Sequence, residues 1–276
     1  MKYIVATVFL FLACLNVNSQ TIERLKVSTE RVGDGLYDFY AENPNYFPMQ
    51  IELNFTEFDN MSADCELPYV GTVMPGKYKI FSLSRTFLEL AGGFEYRFNT
   101  RIGAYPVEHD HDAVYLLPFS EGKTVKAVAF DLTRSRTPEK ILWAFEMDAG
   151  DVVHACRGGV VSQQTVVQER DGRKIGDNTI TILHPDLTFG RYELLADESF
   201  MVALGDTIEA GTPIARVGES RLSPEPQLRF WVYYVGAPID EINAGEVNDI
   251  HSYINPVFKG KGRKTFHLED GKEYTY

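Results

Sequence analysis

Cysteine is scarce in this sequence, and so are clusters of basic residues. The 276 residues include three cysteines, Cys14, Cys65 and Cys156, without the paired spacing of a zinc ribbon. The last two lie far apart, so we expect two free buried thiols, although an oxidising compartment leaves a disulfide between them open. The formal charge of -12 and the pI near 5.0 disfavour nucleic acid and anionic membrane surfaces as partners.

Long apolar runs are also missing, except at the start of the chain. MKYIVATVFLFLACLNVNSQ has one lysine, an apolar stretch from Tyr3 to about Leu15, and then small and polar residues. This run is short for a membrane span and typical of a signal peptide. We therefore predict that residues 1–19 are a cleaved signal peptide and that the protein is secreted or periplasmic. The stretch FLAC leaves a lipoprotein signal open, in which Cys14 would carry the lipid anchor.

The rest of the chain consists of short alternating runs separated by Pro, Gly and Asn. Between 20 and 122, runs such as PMQIELNFTEF and FEYRFNTRIG predict an antiparallel, β-sandwich-like domain. Between 123 and 243, runs such as KTVKAVAF, NTITILHP and QLRFWVYY predict a second β-rich domain. The tail, 244–276, includes DIHSYINP, which we expect to be helix-like or irregular, and it either packs back or frays. The predicted fold class is all-β.

Four segments of the second half occur in an informative order. They are MDAGDVVHACRGGVV, NTITILHPDLTFGRYELL, VALGDTIEAGTPIARVG and SPEPQLRFWVYY. Together, over about 124–235, they resemble the LytM or lysostaphin-type zinc endopeptidase domain, and the third segment resembles an element shared with biotinyl-lipoyl half-barrels. The resemblance implies a β-sheet fold of the half-barrel type, a duplicated hybrid motif, with zinc-dependent hydrolysis of peptidoglycan as the family activity.

That family holds one zinc with two His and one Asp, and two further His residues handle protons. The resemblance matches the first His ligand to Ser135, the Asp ligand to Ala144, one proton-handling His to Leu194, and the two His residues of which one binds zinc and the other moves protons to Gln227 and Arg229. An open catalytic zinc site needs three protein ligands with N, O or S donors, and none of these five residues does the family's work. The resemblance therefore implies a degenerate site without zinc or catalytic residues.

Arg229, Trp231 and Tyr233 alternate with apolar residues and share one face of a predicted strand. If the family's groove persists, Glu146, Trp231 and Tyr233 would line it, and Arg229 would bind a carboxylate or stack on a sugar. The simpler hypothesis, which we favour, is that Arg229 fills the vacated metal pocket and pairs with a nearby carboxylate such as Glu146.

The sequence HDHD offers a second donor cluster. His109 and His111 would face one way on a strand and are weak candidates for a metal site. A solvated loop is the simpler interpretation, because HDHD lies outside the peptidase-like segment.

These patterns favour a secreted cell-envelope protein with a degenerate LytM-type domain that binds peptidoglycan or regulates a cell-wall hydrolase. Two alternatives stay open: an active zinc endopeptidase of peptidoglycan that uses substitute ligands, and a purely structural envelope scaffold.

Overall fold

The computed structural model describes residues 22–130, 142–170, 173–219, 225–247, 250–260 and 264–276. The signal peptide predicted at 1–19, including Cys14, lies outside these ranges. Within them, Cys156 is buried while Cys65 is only half-buried, and both are free thiols.

Seven strands form the first half of the described chain: β1 Lys26–Gly33, β2 Leu36–Asn43, β3 Met49–Asp59, β4 Met61–Ala63, β5 Tyr69–Val73, β6 Gly76–Arg85 and β7 Gly93–Ile102. They make two antiparallel sheets, β1-β2-β6-β4 and β5-β3-β7. Alternation builds the core between them, because Phe81 and Leu83 of β6 are buried while Ser84 is exposed. The rings of Phe39 and Phe81 stack with centroids 4.5 Å apart. This is the β-sandwich that the sequence predicted.

The second half begins with short strands and includes one short helix: β8 Val114–Leu116, β9 Thr124–Phe130, β10 Leu142–Glu146, β11 Val152–His154, β12 Gly159–Thr165, β13 Gln168–Arg170, β14 Arg173–Ile175, β15 Asn178–Leu183, β16 Phe189–Leu195, β17 Thr207–Ile208, β18 Pro213–Arg216, β19 Leu228–Val235, α1 Ile239–Ala244, β20 His251–Ile254, β21 Val257–Lys259, β22 Thr265–Phe266 and β23 Lys272–Thr275.

Nine of these described strands form one sheet in the order β17-β12-β15-β16-β19-β10-β9-β23, with β20 also paired to β19. Strand β19 is central, because β16 pairs with one of its edges and β10 and β20 share the other. Tyr192, Phe230 and Phe258 belong to the core on one face of this sheet. The all-β fold class is confirmed.

The sandwich packs against the opposite face of the nine-stranded sheet. Phe189 and Tyr192 point to opposite faces because they are an odd number of positions apart in β16. Phe189 and Leu183 share an apolar cluster with Met49 of the sandwich. At the edge of this contact, Asn243 Nδ2 donates to Glu52 Oε2 over 2.6 Å. The two halves therefore share a buried apolar interface.

The tail pairs with the second half instead of fraying. Strand β20 pairs with β19, β23 pairs with β9, and β21 pairs in parallel with β8. The expectation that DIHSYINP is helix-like or irregular is wrong. Along this edge of β19, the described part of β10 pairs with Leu228–Phe230. The edge at Val232–Val235 is therefore available for pairing with His251–Ile254. No helix in the described part of the chain has the length and apolarity to cross a bilayer.

Candidate functional site

Strand β19 alternates between the core and the sheet face that the sandwich partly covers. Leu228, Phe230 and Val232 are fully buried in the core. Arg229 and Tyr233 are half-buried, and both point to the opposite face. The predicted alternation is therefore present.

Ala144 of β10 lies directly opposite Arg229 in the β10–β19 pair. On the other side of β19, Glu193 of β16 lies opposite Arg229. Directly opposite residues in an antiparallel pair have Cβ atoms about 4.5–5.5 Å apart. The Arg229 guanidinium carbon lies 4.8 Å from the centroid of the Phe130 ring, a contact that favours the cation.

The predicted ion pair between Arg229 and Glu146 does not form. Glu146 Oε1 instead accepts a hydrogen bond from Lys126 Nζ over 2.9 Å. The reason is register, because Lys126 lies directly opposite Glu146, whereas Arg229 lies opposite Ala144, two positions away. This hydrogen bond raises the pKa of the Lys126 ammonium.

The other predicted site residues do not all lie beside Arg229. Gln227 is half-buried and immediately precedes β19, so it continues the face of Arg229. Ser135 lies outside the described residues. Leu194 is the extra residue of a β-bulge, since its neighbours Glu193 and Leu195 pair with consecutive residues of β15.

The bulge gives Leu194 an unusual backbone and a separate environment. Its φ is 65°, in the left-handed region that an ordinary side chain rarely adopts. It is buried and lines a cavity of about 430 Å³ together with Asp177, Asn178 and Asp197. Leu194 therefore does not share a pocket with Trp231 and Tyr233.

The described residues at the matched positions do not fit a zinc ion. The methyl group of Ala144 has no lone pair, and the guanidinium of Arg229 has only donors and a permanent positive charge. A catalytic zinc needs three protein ligands. Ala144 and Arg229 are thus chemically unsuited as ligands, and Ser135 lies outside the described residues.

A depression next to Arg229 has a volume of about 210 Å³. Its lining comes from three adjacent strands and consists of Arg191, Glu193, Trp231, Tyr233, His251 and Tyr253. Trp231 and Tyr233 were predicted to line a groove, and they do line this one; Glu146 does not. The other four were missed, although the alternation in FGRYELL and in HSYI could have placed each pair on one face.

The HDHD segment is a loop in which His109 is half-buried and Asp110, His111 and Asp112 are exposed. The rings of His109 and His111 have centroids 4.0 Å apart, and His109 also stacks on Tyr234 at 5.5 Å. Burial, and then the neighbouring His111, lower the pKa of His109. Across the part of the chain that the structure describes, no group of three His, Cys, Asp or Glu residues is placed to hold a metal ion.

This loop is tied to the second half through Asp186. The carboxylate of Asp186 accepts hydrogen bonds from Arg157 Nη1 at 2.8 Å and from the Asp110 backbone N–H at 3.0 Å. Burial acts to raise the pKa of Asp186, but the bonds from Arg157, Asp110 and Thr188 outweigh it and hold the pKa at about 2. Asp186 therefore joins the HDHD loop to Arg157, which gives these contacts a structural role.

His184 directly follows β15 and is 1% exposed. Its Nδ1 lies 2.9 Å from the carbonyl oxygen of Gly158, so Nδ1 carries the proton and donates. Its Nε2 is buried without a hydrogen bond. Burial lowers the pKa of His184 to about 4, which keeps the ring neutral at physiological pH. A neutral packed imidazole has a structural role here.

Comparisons with known proteins find a family match in the second half of the chain. Residues 143–241 match the family model described as Peptidase family M23. No curated protein matches the chain.

Solved structures of M23 peptidases are also similar to this chain. The deep-sea M23 metalloprotease pseudoalterin is 18% identical, with 59% of this chain and 94% of that chain covered and a TM-score of 0.36. The lysostaphin catalytic domain of Staphylococcus simulans is 19% identical, with 47% and 93% covered and a TM-score of 0.29. Csd3 of Helicobacter pylori is 15% identical, with 79% and 50% covered and a TM-score of 0.33. The second half of the chain therefore contains a segment, residues 143–241, that matches Peptidase family M23.

Proposed function

We propose that this protein is a secreted cell-envelope protein whose M23 domain has lost zinc and peptidase activity and acts by binding peptidoglycan or a cell-wall hydrolase. The observation that carries the proposal is the cross-strand pair of Ala144 and Arg229. The resemblance matches Ala144 to the family's Asp ligand and Arg229, with Gln227, to its His pair.

Electrostatics reinforce this point. The Arg229 guanidinium has a positive charge and only hydrogen-bond donors, so it offers no lone pair to a metal ion. A unit positive charge held beside Phe130 repels a divalent cation at the same place. The pair therefore disfavours metal twice, through a missing lone pair and through an added charge.

The proton-handling positions support the same conclusion. Leu194 has no titratable group, and the amide of Gln227 neither gains nor loses a proton near neutral pH. A positioned general acid or base contributes about 10²–10⁴-fold to a rate, and this contribution is missing at both matched positions. Secretion is supported by the leader-like pattern of residues 1–19.

Incubation of the purified mature chain with isolated peptidoglycan sacculi tests the proposal. Co-sedimentation of the chain with the sacculi, without release of soluble fragments in the presence of added zinc, is the expected result. An active M23 peptidase serves as the positive control for fragment release. The hydrolase arm is tested by adding a wall amidase, whose rate of fragment release the chain should increase.

Zinc-dependent release of fragments by the chain alone would contradict the proposal and favour the active endopeptidase. If the chain neither co-sediments with sacculi nor changes the amidase rate, the proposal is contradicted and a structural scaffold is favoured.

A further inference from the structure

Three adjacent strands of the M23 sheet present matched pairs of side chains to one depression. Each pair is spaced by two residues, so both members point to the same face. The pairs are Arg191 and Glu193 of β16, Trp231 and Tyr233 of β19, and His251 and Tyr253 of β20. Strand register aligns them, because Arg191 lies opposite Trp231 and Tyr233 lies opposite Tyr253.

The charges at this depression cancel. Arg191 Nε donates to Glu193 Oε1 over 2.8 Å, and the two side chains are 29% and 14% exposed. A charged ligand would meet one partner of like sign, and it would have to break this pair to gain the other. A neutral ligand with hydroxyl groups can instead accept from the guanidinium and donate to the carboxylate.

Aromatic rings form the rest of the lining. The Arg191 guanidinium carbon lies 5.7 Å from the Trp231 ring, and Tyr233 contacts His251 edge-on with centroids 5.1 Å apart. Trp231 is 6% exposed, so it supports the lining from below, and Tyr233 stacks on Phe189 with ring centroids 5.3 Å apart. The accessible ring surface comes from Tyr233 and Tyr253, which are half-buried, and from His251, which is exposed. Rings held in this way lose little side-chain entropy on binding.

The size of the depression limits the ligand. Its volume of about 210 Å³ is below the range of about 300–1,000 Å³ for drug-sized ligands. It suits one ring, with the rest of a longer molecule lying outside.

We propose that this depression binds a single pyranose ring of a glycan, with the apolar face of the sugar on the aromatic rings and its hydroxyls on Arg191 and Glu193. A sugar ring combines a C–H face with neutral hydroxyl groups, which matches both halves of the lining. The inference rests on the proposed function, since it assigns binding to the glycan strand of peptidoglycan and not to its peptides. It also places binding beside the former metal positions and not at them.

Calorimetric titration of the full chain with a tetramer of N-acetylglucosamine tests the inference. We expect saturable binding with a Kd below about 1 mM. Glu193→Gln and Tyr253→Ala should each weaken binding at least about tenfold, the equivalent of one charged hydrogen bond or one ring contact. Tyr78→Ala, which removes an exposed tyrosine of the sandwich, should bind as the unaltered chain does. Unfolding curves show which variants remain folded.

A second titration locates the site. The chain has two tryptophans, and Trp143 is buried in the core, so a sugar-induced change in fluorescence should disappear in Trp231→Phe.

Two results would overturn the inference: no sugar binding by the folded chain, or equal binding by folded Glu193→Gln and Tyr253→Ala variants. Binding of a synthetic stem peptide in place of the sugar would overturn it as well, while leaving the proposed function intact. The proposed function fails separately, through zinc-dependent hydrolysis of sacculi.

Discussion

Ala144 and Arg229 face each other across neighbouring strands at the centre of the nine-stranded sheet. Neither side chain offers a lone pair to a metal ion, because alanine ends in a methyl group and arginine has only hydrogen-bond donors. A metal site at this cross-strand pair would therefore need donors from other residues.

Gly190→Ala should destabilise the fold, because Gly190 packs against the buried ring of His184. A Cβ added at Gly190 would lie 2.7 Å from His184 Nε2, and His184 has little room to move because it is buried. Overpacking of this kind typically costs about 1–3 kcal/mol. Urea unfolding measures the effect. Gly93→Ala is the control, since a Cβ there meets nothing within 4 Å; an equal effect of the two variants would contradict this account of Gly190.

Acid should weaken the fold through His184. Its pKa is lowered from 6.5 to about 4 by burial, so the unfolded chain binds a proton at a higher pH than the folded chain does. The contribution of His184 to the free energy of unfolding is therefore fully present above about pH 6.5. It falls by up to about 3 kcal/mol between about pH 6.5 and 4.

Urea unfolding at a series of pH values measures this effect. His184→Gln should lower stability overall but flatten the dependence between those pH values. The same slope in the variant and in the unaltered chain would assign the effect to another group.

Tyr192→Phe should leave a buried backbone group without a partner. The Cys156 N–H donates to the Tyr192 hydroxyl oxygen over 2.7 Å, and both residues are fully buried. Loss of one partner of a buried hydrogen bond costs about 1–3 kcal/mol. Thermal or urea unfolding should detect it, with Tyr78→Phe at an exposed site as the control, for which we expect less than about 0.5 kcal/mol.

Phe189→Ala should weaken the contact between the two halves of the protein. Phe189 is 1% exposed and belongs to the cluster that also contains Met49 of the sandwich. Truncation of a buried phenylalanine costs about 3–5 kcal/mol. We expect the unfolding midpoint to fall and protease sensitivity between the halves to rise. Phe87→Ala, at a side chain 56% exposed, should do neither.

The sequence predicted what depends on local pattern. Alternation in QLRFWVYY placed Arg229, Trp231 and Tyr233 on one face. This inference succeeds because the side-chain period of a strand is a property of the strand itself.

Partners across strands were not predictable in the same way. Glu146 pairs with Lys126 and not with Arg229, because the β9–β10 register sets which side chains lie opposite. The tail strand His251–Ile254 was missed because it forms on an edge of β19 that distant residues leave open. The depression forms because Arg191 of β16 and Tyr253 of β20 lie on either side of β19. Their positions depend on both the β16–β19 and the β19–β20 register.

Zinc content of the purified mature chain, measured by atomic spectroscopy after desalting from zinc-containing buffer, is the most direct test of the central claim. The account predicts no stoichiometric zinc, because neither Ala144 nor Arg229 offers a lone pair to a metal ion. About one zinc per chain, lost on replacing Glu146 or the pair His109 and His111, would contradict it.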